Sequence, residues 1–189
     1  MNKLELKLVK SYFKDVYKGI DFFQESDLVQ INSNRKLSEY YKIDYVTFIL
    51  YMMAADGELN IDEIKVYQYF TGFDGDDLDT IKESIETSGV MSPDFQASIP
   101  PSLQYLVQCF NACPSFFEVN ETPFLVNQYL MSFALTGRQI AKADNYVPYT
   151  EKQHYDLYIN NLISYIKNNA LFSIESSFEE LLAVISESL

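Results

Sequence analysis

Residues 41–63 of the chain read YKIDYVTFILYMMAADGELNIDE. The first half of this segment has apolar residues three or four positions apart, the spacing of one face of an α-helix. These residues are Tyr41, Tyr45, Phe48, Met52 and Ala55. Gly57 then marks a helix end, because glycine tolerates the left-handed conformation, and Asn60 followed by Glu63 is typical of a helix start. The segment therefore predicts a helix, an acidic loop and a second helix.

A second segment, residues 143–151, is similar to the loop of the first. It reads ADNYVPYTE, whereas residues 55–63 read ADGELNIDE. Both fit the pattern A-D-[GN]-x-[LV]-x-x-x-E, and their aspartates, Asp56 and Asp144, lie 88 positions apart. Apolar helical spacing precedes and follows each segment. We therefore predict two related helix–loop–helix halves.

Helical spacing continues through most of the remaining chain, without hairpin turns or runs of alternating strands. Thr122 followed by Pro123 predicts a helix capped by the threonine, with proline at its first position. We predict an all-α fold, a compact bundle of about seven to nine helices in a single domain over residues 1–189. The stretch near 87–101, rich in Ser and Pro, is the candidate boundary between two lobes.

The two loop aspartates have two interpretations. Asp56 and Asp144 are predicted at helix C-termini, where an added carboxylate costs about 0.3–1 kcal/mol because of the helix dipole. Either each aspartate accepts backbone N–H bonds from the next helix start, or the two loops share a cation. Glu63 is predicted to close a capping box on Asn60, whereas the second loop has Pro148 at the position of Asn60.

The helix followed by A-A-D-G-x-[LI]-x-x-x-E, with a later A-D-x-x-[VI]-x-x-x-E, resembles the tellurite-resistance protein B (TerB-like) family over residues 38–168. Members of that family are compact all-helical domains of two related halves, found in bacterial stress and defence gene neighbourhoods. The resemblance implies a regulatory or adaptor role, a protein partner and no catalysis. It also implies a weak divalent-cation site, for Ca²⁺ or Mg²⁺. Its ligands would be Asp56, Glu63, Asp144 and Glu151.

The charge of the chain restricts its partners. Its 189 residues include 27 acidic and 14 basic ones, so the formal net charge is −13. Nucleic acids and anionic membranes attract basic surfaces, so we expect neither as a partner, whereas cations and basic proteins remain. The alternative function is that of an acidic immunity or inhibitor protein, which would bind a basic toxin or effector with charge-accelerated association.

Few residues of the chain suit catalysis. It has one histidine, His154, and no tryptophan, and it lacks a Ser-His-Asp arrangement or a phosphate-binding loop. We predict that it is not an enzyme, with hydrolysis by a carboxylate-bound metal as a third hypothesis. Cys109 and Cys113 are predicted to be buried thiols. Because the sequence shows neither a signal-peptide core nor an apolar stretch of spanning length, we expect a cytoplasmic location without membrane insertion.

Overall fold

The computed structural model describes residues 3–26, 35–75, 77–116, 121–143 and 147–189. In these ranges the chain forms nine α-helices and one short 3₁₀ turn, Pro114–Phe116, and no strand. The predicted all-α bundle is therefore confirmed. The helices are α1 (Lys3–Glu25), α2 (Leu37–Met53), α3 (Ile61–Thr71), α4 (Leu78–Ser88), α5 (Pro93–Ala97), α6 (Pro101–Ala112), α7 (Phe124–Ala141), α8 (Tyr149–Asn169) and α9 (Ser176–Glu187).

Helix α7 lies at the centre of the bundle. Every residue from 128 to 137 is buried, and α1, α2, α8 and α9 pack around the helix. The composition of α7 allows this, since Arg138 is its only charged residue. Arg138 lies at the edge of the core, and the carboxylate of Glu5 in α1 pairs with its guanidinium group and compensates the positive charge.

Two buried hydrogen bonds, one helical turn apart, join α2 to α7. The hydroxyl of Tyr41 bonds the hydroxyl of Ser132 at 2.8 Å, and that of Tyr45 bonds Thr136 at 2.5 Å. Burial raises the pKa of both tyrosines well above its ordinary value, so both stay protonated at neutral pH. These bonds satisfy polar groups that would otherwise be costly in an aromatic core.

Equivalent residues of the two halves contact each other across this interface. The rings of Tyr41 and Tyr129 are 5.4 Å apart, and those of Tyr45 and Phe133 are 5.5 Å apart. Each pair has the 88-residue separation that relates Asp56 to Asp144. Contacts between equivalent positions are the pattern of a twofold interface, so the packing supports two related halves, α2–loop–α3 and α7–loop–α8.

The stretch near 87–101, predicted as a boundary, contains α5. The ring of Phe95 in this short helix lies 5.5 Å from that of Tyr51 in α2 and 6.5 Å from that of Tyr158 in α8. Ile99 also packs against the buried core. The hydrophobic core therefore continues across this stretch.

One predicted helix start is wrong in detail. Helix α7 begins at Phe124 with Pro123 as its N-cap residue, and no side chain caps it. The Thr122 hydroxyl instead donates to the carbonyl of Ser173 and accepts the N–H of Glu175, both at 2.9 Å. Thr122, which the local sequence predicted to cap α7, is therefore hydrogen-bonded to residues that lie 51 and 53 positions later in the chain.

Candidate functional site

The first acidic loop begins where α2 ends. Gly57 adopts a φ of 81°, and a Cβ atom on it would meet nothing within 4 Å, so the glycine is required for its backbone conformation only. The carboxylate of Asp56 accepts the backbone N–H of Glu58 at 2.9 Å. Asp56 therefore stabilises the turn that leads away from α2.

The predicted capping box at the start of α3 is confirmed. Asn60 Oδ1 accepts the N–H groups of Asp62 and Glu63, each at 2.9 Å, and Glu63 Oε2 accepts the N–H of Asn60 at 3.0 Å. A cap of this kind stabilises a helix by about 1 kcal/mol. Glu63 is only 2% exposed, so this carboxylate lies within the fold.

The second loop matches the first only in part. Asp144 lies outside the described residues. Glu151 is the third residue of α8, as Glu63 is of α3, and it is also 2% exposed. The residue that precedes α8 is Pro148, which has no N–H to donate. Glu151 therefore occupies the position of Glu63 without being able to close the same box.

The predicted cation ligands remain a prediction. Among the residues that the structure describes, no group of three or more His, Cys, Asp or Glu side chains is arranged to hold a metal ion. Asp56 and Glu63 each accept a backbone N–H within their own loop. Glu63 therefore caps α3, whereas Asp56 bonds within the loop rather than with the start of α3. The shared site would also require Asp144.

A surface groove of about 630 Å³ lies beside the first acidic loop, between the end of α2 and helix α4. Its apolar lining includes Met53, Leu59, Ile85 and Met91. Met53 is buried, Leu59 and Ile85 are half-buried, and Met91 is 39% exposed. The groove therefore has an apolar floor whose accessible surface comes from Met91, Leu59 and Ile85.

The rim of this groove is electronegative. Of the described residues that line it, Glu58 and Glu86 are acidic and Lys82 alone is basic. Helices α2 and α4 both end near the groove, and neither has a basic residue in its last turn. Each helix C-terminus carries roughly half a negative charge, which adds to that of the carboxylates. The site is therefore suited to cationic groups attached to an apolar body.

Comparison of the chain with family models, with characterised proteins and with solved structures finds no match. The resemblance to the TerB-like family stays a prediction that rests on its motif residues. Within the described ranges, no helix is both long and apolar enough to cross a membrane.

A half-buried carboxyl group that sequence reasoning missed, that of Asp44, lies beneath α5. Asp44 Oδ2 accepts the N–H of Ser102 at 2.8 Å, at the start of α6, and the Ser102 hydroxyl bonds that of Tyr129 at 2.9 Å. Asp44 also lines a cavity of about 180 Å³ with Tyr158. Burial raises the pKa of Asp44 to about 6, although the bonds from Ser102 oppose that rise. The carboxyl group therefore titrates close to neutral pH.

Two side chains of types that often serve in catalysis, His154 and Cys109, are held in structural contacts. His154 Nδ1 lies 2.8 Å from the carbonyl oxygen of Thr150, and its ring packs edge-on against Tyr51 at 5.1 Å. Cys109 is buried, as predicted, and burial raises the pKa of its thiol to about 11. A thiol with so high a pKa is a poor nucleophile at neutral pH.

Proposed function

We propose that this protein is a non-catalytic regulatory or adaptor domain that binds a basic amphipathic helix of a partner protein in the groove beside its first acidic loop. The observation that carries the proposal is the combination, in one groove, of an apolar floor and an electronegative rim. We propose neither catalysis nor nucleic-acid binding for this protein. The proposed location is the cytoplasm.

The floor of the groove suits the apolar face of a helix. Methionine side chains are flexible and polarizable, so Met91, which is 39% exposed, can adapt to different apolar residues. A partner helix with apolar residues at every third or fourth position would present such a face. Leu59 and Ile85 would contact it from the two sides of the groove.

The rim would select partners by charge. Lysine or arginine residues beside the apolar face of the partner helix would meet Glu58 and Glu86 and the C-termini of α2 and α4. The net charge of −13 would also steer a basic partner over longer distances. Because salt screens such forces, we expect the affinity for a basic partner to decrease as ionic strength increases.

Two synthetic peptides test this proposal with the full chain. Both have leucine at helical spacing; one has lysine at the remaining positions and the other has glutamate. We expect the lysine peptide alone to bind, in a salt-dependent manner, when binding is followed by calorimetry. Met91→Asp should weaken it at least about tenfold, which corresponds to roughly 1.4 kcal/mol, because a charge is placed on the apolar floor.

Leu181→Asp is the matched control for this variant. Leu181 of α9 is 44% exposed and Met91 is 39% exposed, and Leu181 does not line the groove. The control should bind the lysine peptide as the wild type does. Equal weakening by both substitutions, or equal binding of the two peptides, would contradict the proposed site.

The TerB-like resemblance extends the proposal to a weak site for Ca²⁺ or Mg²⁺ formed by Asp56, Glu63, Asp144 and Glu151. Two features support it: Glu63 and Glu151 are buried at equivalent positions, and Asp56 follows the C-terminus of α2, where partial charge attracts cations.

Thermal melts of chelator-treated protein test the cation site. We expect either ion to raise the stability, by about 2.7 kcal/mol when it is present at about 100 times its dissociation constant. Asp56→Asn should abolish the increase, although asparagine can still accept the N–H of Glu58. Glu180→Gln, which removes an exposed charge on α9, should retain it. If neither ion shifts the melt, the loops are helix caps only.

The alternative, an acidic inhibitor of a basic toxin or effector, predicts a different dependence on the groove. Such a protein would contact its partner through many carboxylates of its surface. Met91→Asp would then leave the salt-dependent capture of a folded basic protein unchanged. Loss of binding in this variant would favour the groove.

A further inference from the structure

A further cavity, of about 440 Å³, lies between α1, α2 and the end of α3. Its floor consists of aromatic rings. The ring of Phe13 lies 4.7 Å from that of Tyr45, which in turn meets the ring of Phe70 edge-on at 6.1 Å. Tyr17 and Val46 complete the apolar lining. A floor of this kind suits a flat apolar or aromatic body.

The rim of this cavity is basic, in contrast to the acidic chain as a whole. Lys14 and Lys18 project from successive turns of α1, Lys42 comes from α2, and all three side chains are exposed. Among the residues that the structure describes, no acidic side chain lines the cavity. Within the described ranges, none of the three lysines forms an ion pair. Their charge is therefore available to a ligand.

Two other lysines near this cavity contact groups of the protein itself, whereas Lys14 and Lys18 have no such contact with a described residue. Lys10 donates to the carbonyl of Tyr69 at 3.4 Å, in the last turn of α3, where a cation compensates the helix dipole. Lys42 lies over the ring of Phe73 at 5.8 Å. In the part of the chain that the structure describes, Lys14 and Lys18 make neither kind of contact.

We propose that this cavity binds a small organic anion with an aromatic body. The ring of the ligand would lie on Phe13 and Tyr17, which are half-buried, and its carboxylate, sulfonate or phosphate group would contact Lys14 and Lys18, with Lys42 opposite. Because the net negative charge of the protein repels anions at long range, an anionic group alone should bind weakly. A ligand that also has an aromatic ring would gain additional contacts with the cavity floor. The site is separate from the proposed peptide groove.

The probes are anilinonaphthalene sulfonate and phenylnaphthylamine, which share an aromatic body but differ in the charged group. Fluorescence titration of the full chain should show tighter binding of the sulfonate. The double variant Lys14→Gln, Lys18→Gln should weaken its binding about tenfold, the effect of losing charge-assisted contacts. It should leave the neutral dye unaffected. Inorganic sulfate alone should not displace the sulfonate dye.

Lys42→Gln, on another helix, should also weaken the sulfonate dye. Lys65→Gln is the control, because Lys65 is exposed and pairs with Asp62 away from the cavity. All the substituted lysines are exposed, and a far-ultraviolet dichroism spectrum verifies the fold of each variant. Equal binding of the two dyes, equal affinity in the double variant and the control, or no binding of the sulfonate would overturn the proposal.

Discussion

Replacement of Gly137 by alanine should lower the free energy of unfolding by up to about 2 kcal/mol, because overpacking a core usually costs about 1–3 kcal/mol. The added Cβ would lie 2.8 Å from Cδ2 of Tyr155 and 3.0 Å from Cζ of Phe48. Both rings are fully buried, so neither can turn away into solvent. The steric cost should exceed the gain of about 1 kcal/mol that alanine brings to a helix interior. Urea denaturation measures the difference.

Gly19→Ala is the control for this substitution. Its Cβ would meet Leu125 Cδ1 at 2.6 Å, a shorter distance than at Gly137. Leu125 is only half-buried, and its flexible side chain can rotate out of the way. We expect Gly19→Ala to be neutral or slightly stabilising. Equal losses at the two glycines would mean that the rigidity of the neighbouring rings does not determine the cost.

Asp44→Asn should stabilise the protein at neutral pH. The pKa of Asp44 is about 6 in the folded protein, against an ordinary value of 3.8. The folded state therefore binds the proton more tightly, and stability decreases as the pH rises from the lower value through the higher one. We expect a cost of about 1–2 kcal/mol above pH 6, reduced from the full shift because the side chain is only half-buried. Asparagine can still accept the N–H of Ser102.

Denaturation across this pH range tests the effect. The wild type should lose stability with rising pH relative to Asp44→Asn, and the two curves should converge at acid pH. Asp77→Asn is a control of opposite sign, since the N–H of Thr80 lowers the pKa of Asp77 at the start of α4. That variant should be less stable than the wild type at neutral pH. A constant difference between wild type and Asp44→Asn would contradict the titration.

Local features were predictable from the sequence. The capping box of Asn60 and Glu63 formed as expected because every atom in it belongs to four consecutive residues. Gly57 took the left-handed conformation at the predicted position. The apolar spacing of α2 predicted that Tyr41, Tyr45, Phe48 and Met52 are buried, because residues three or four positions apart share one side of a helix. It did not predict that residues 48–53 of α2 and 128–137 of α7 are buried all round, because that depends on how many helices pack against each of them.

Features that depend on distant residues could not be predicted. Thr122 is bound by the chain around Ser173, and Asp44 bonds a residue 58 positions away; neither partner is visible in local sequence. The groove brings Met53 and Met91 together, and their exposure depends on tertiary packing. One signal was available and overlooked: lysines at positions 7, 10, 14 and 18 have the spacing of a single helix face.

The bonds between α2 and α7 have a consequence for the order of folding. Tyr41 and Tyr45 each bond a residue 91 positions later in the chain. During synthesis α2 can become helical early from local contacts, but its buried rings have no partner until α7 is complete at Ala141. Until then the nascent chain exposes an aromatic face, the kind of surface that aggregates or recruits chaperones. Closure of the core is therefore a late event on the ribosome.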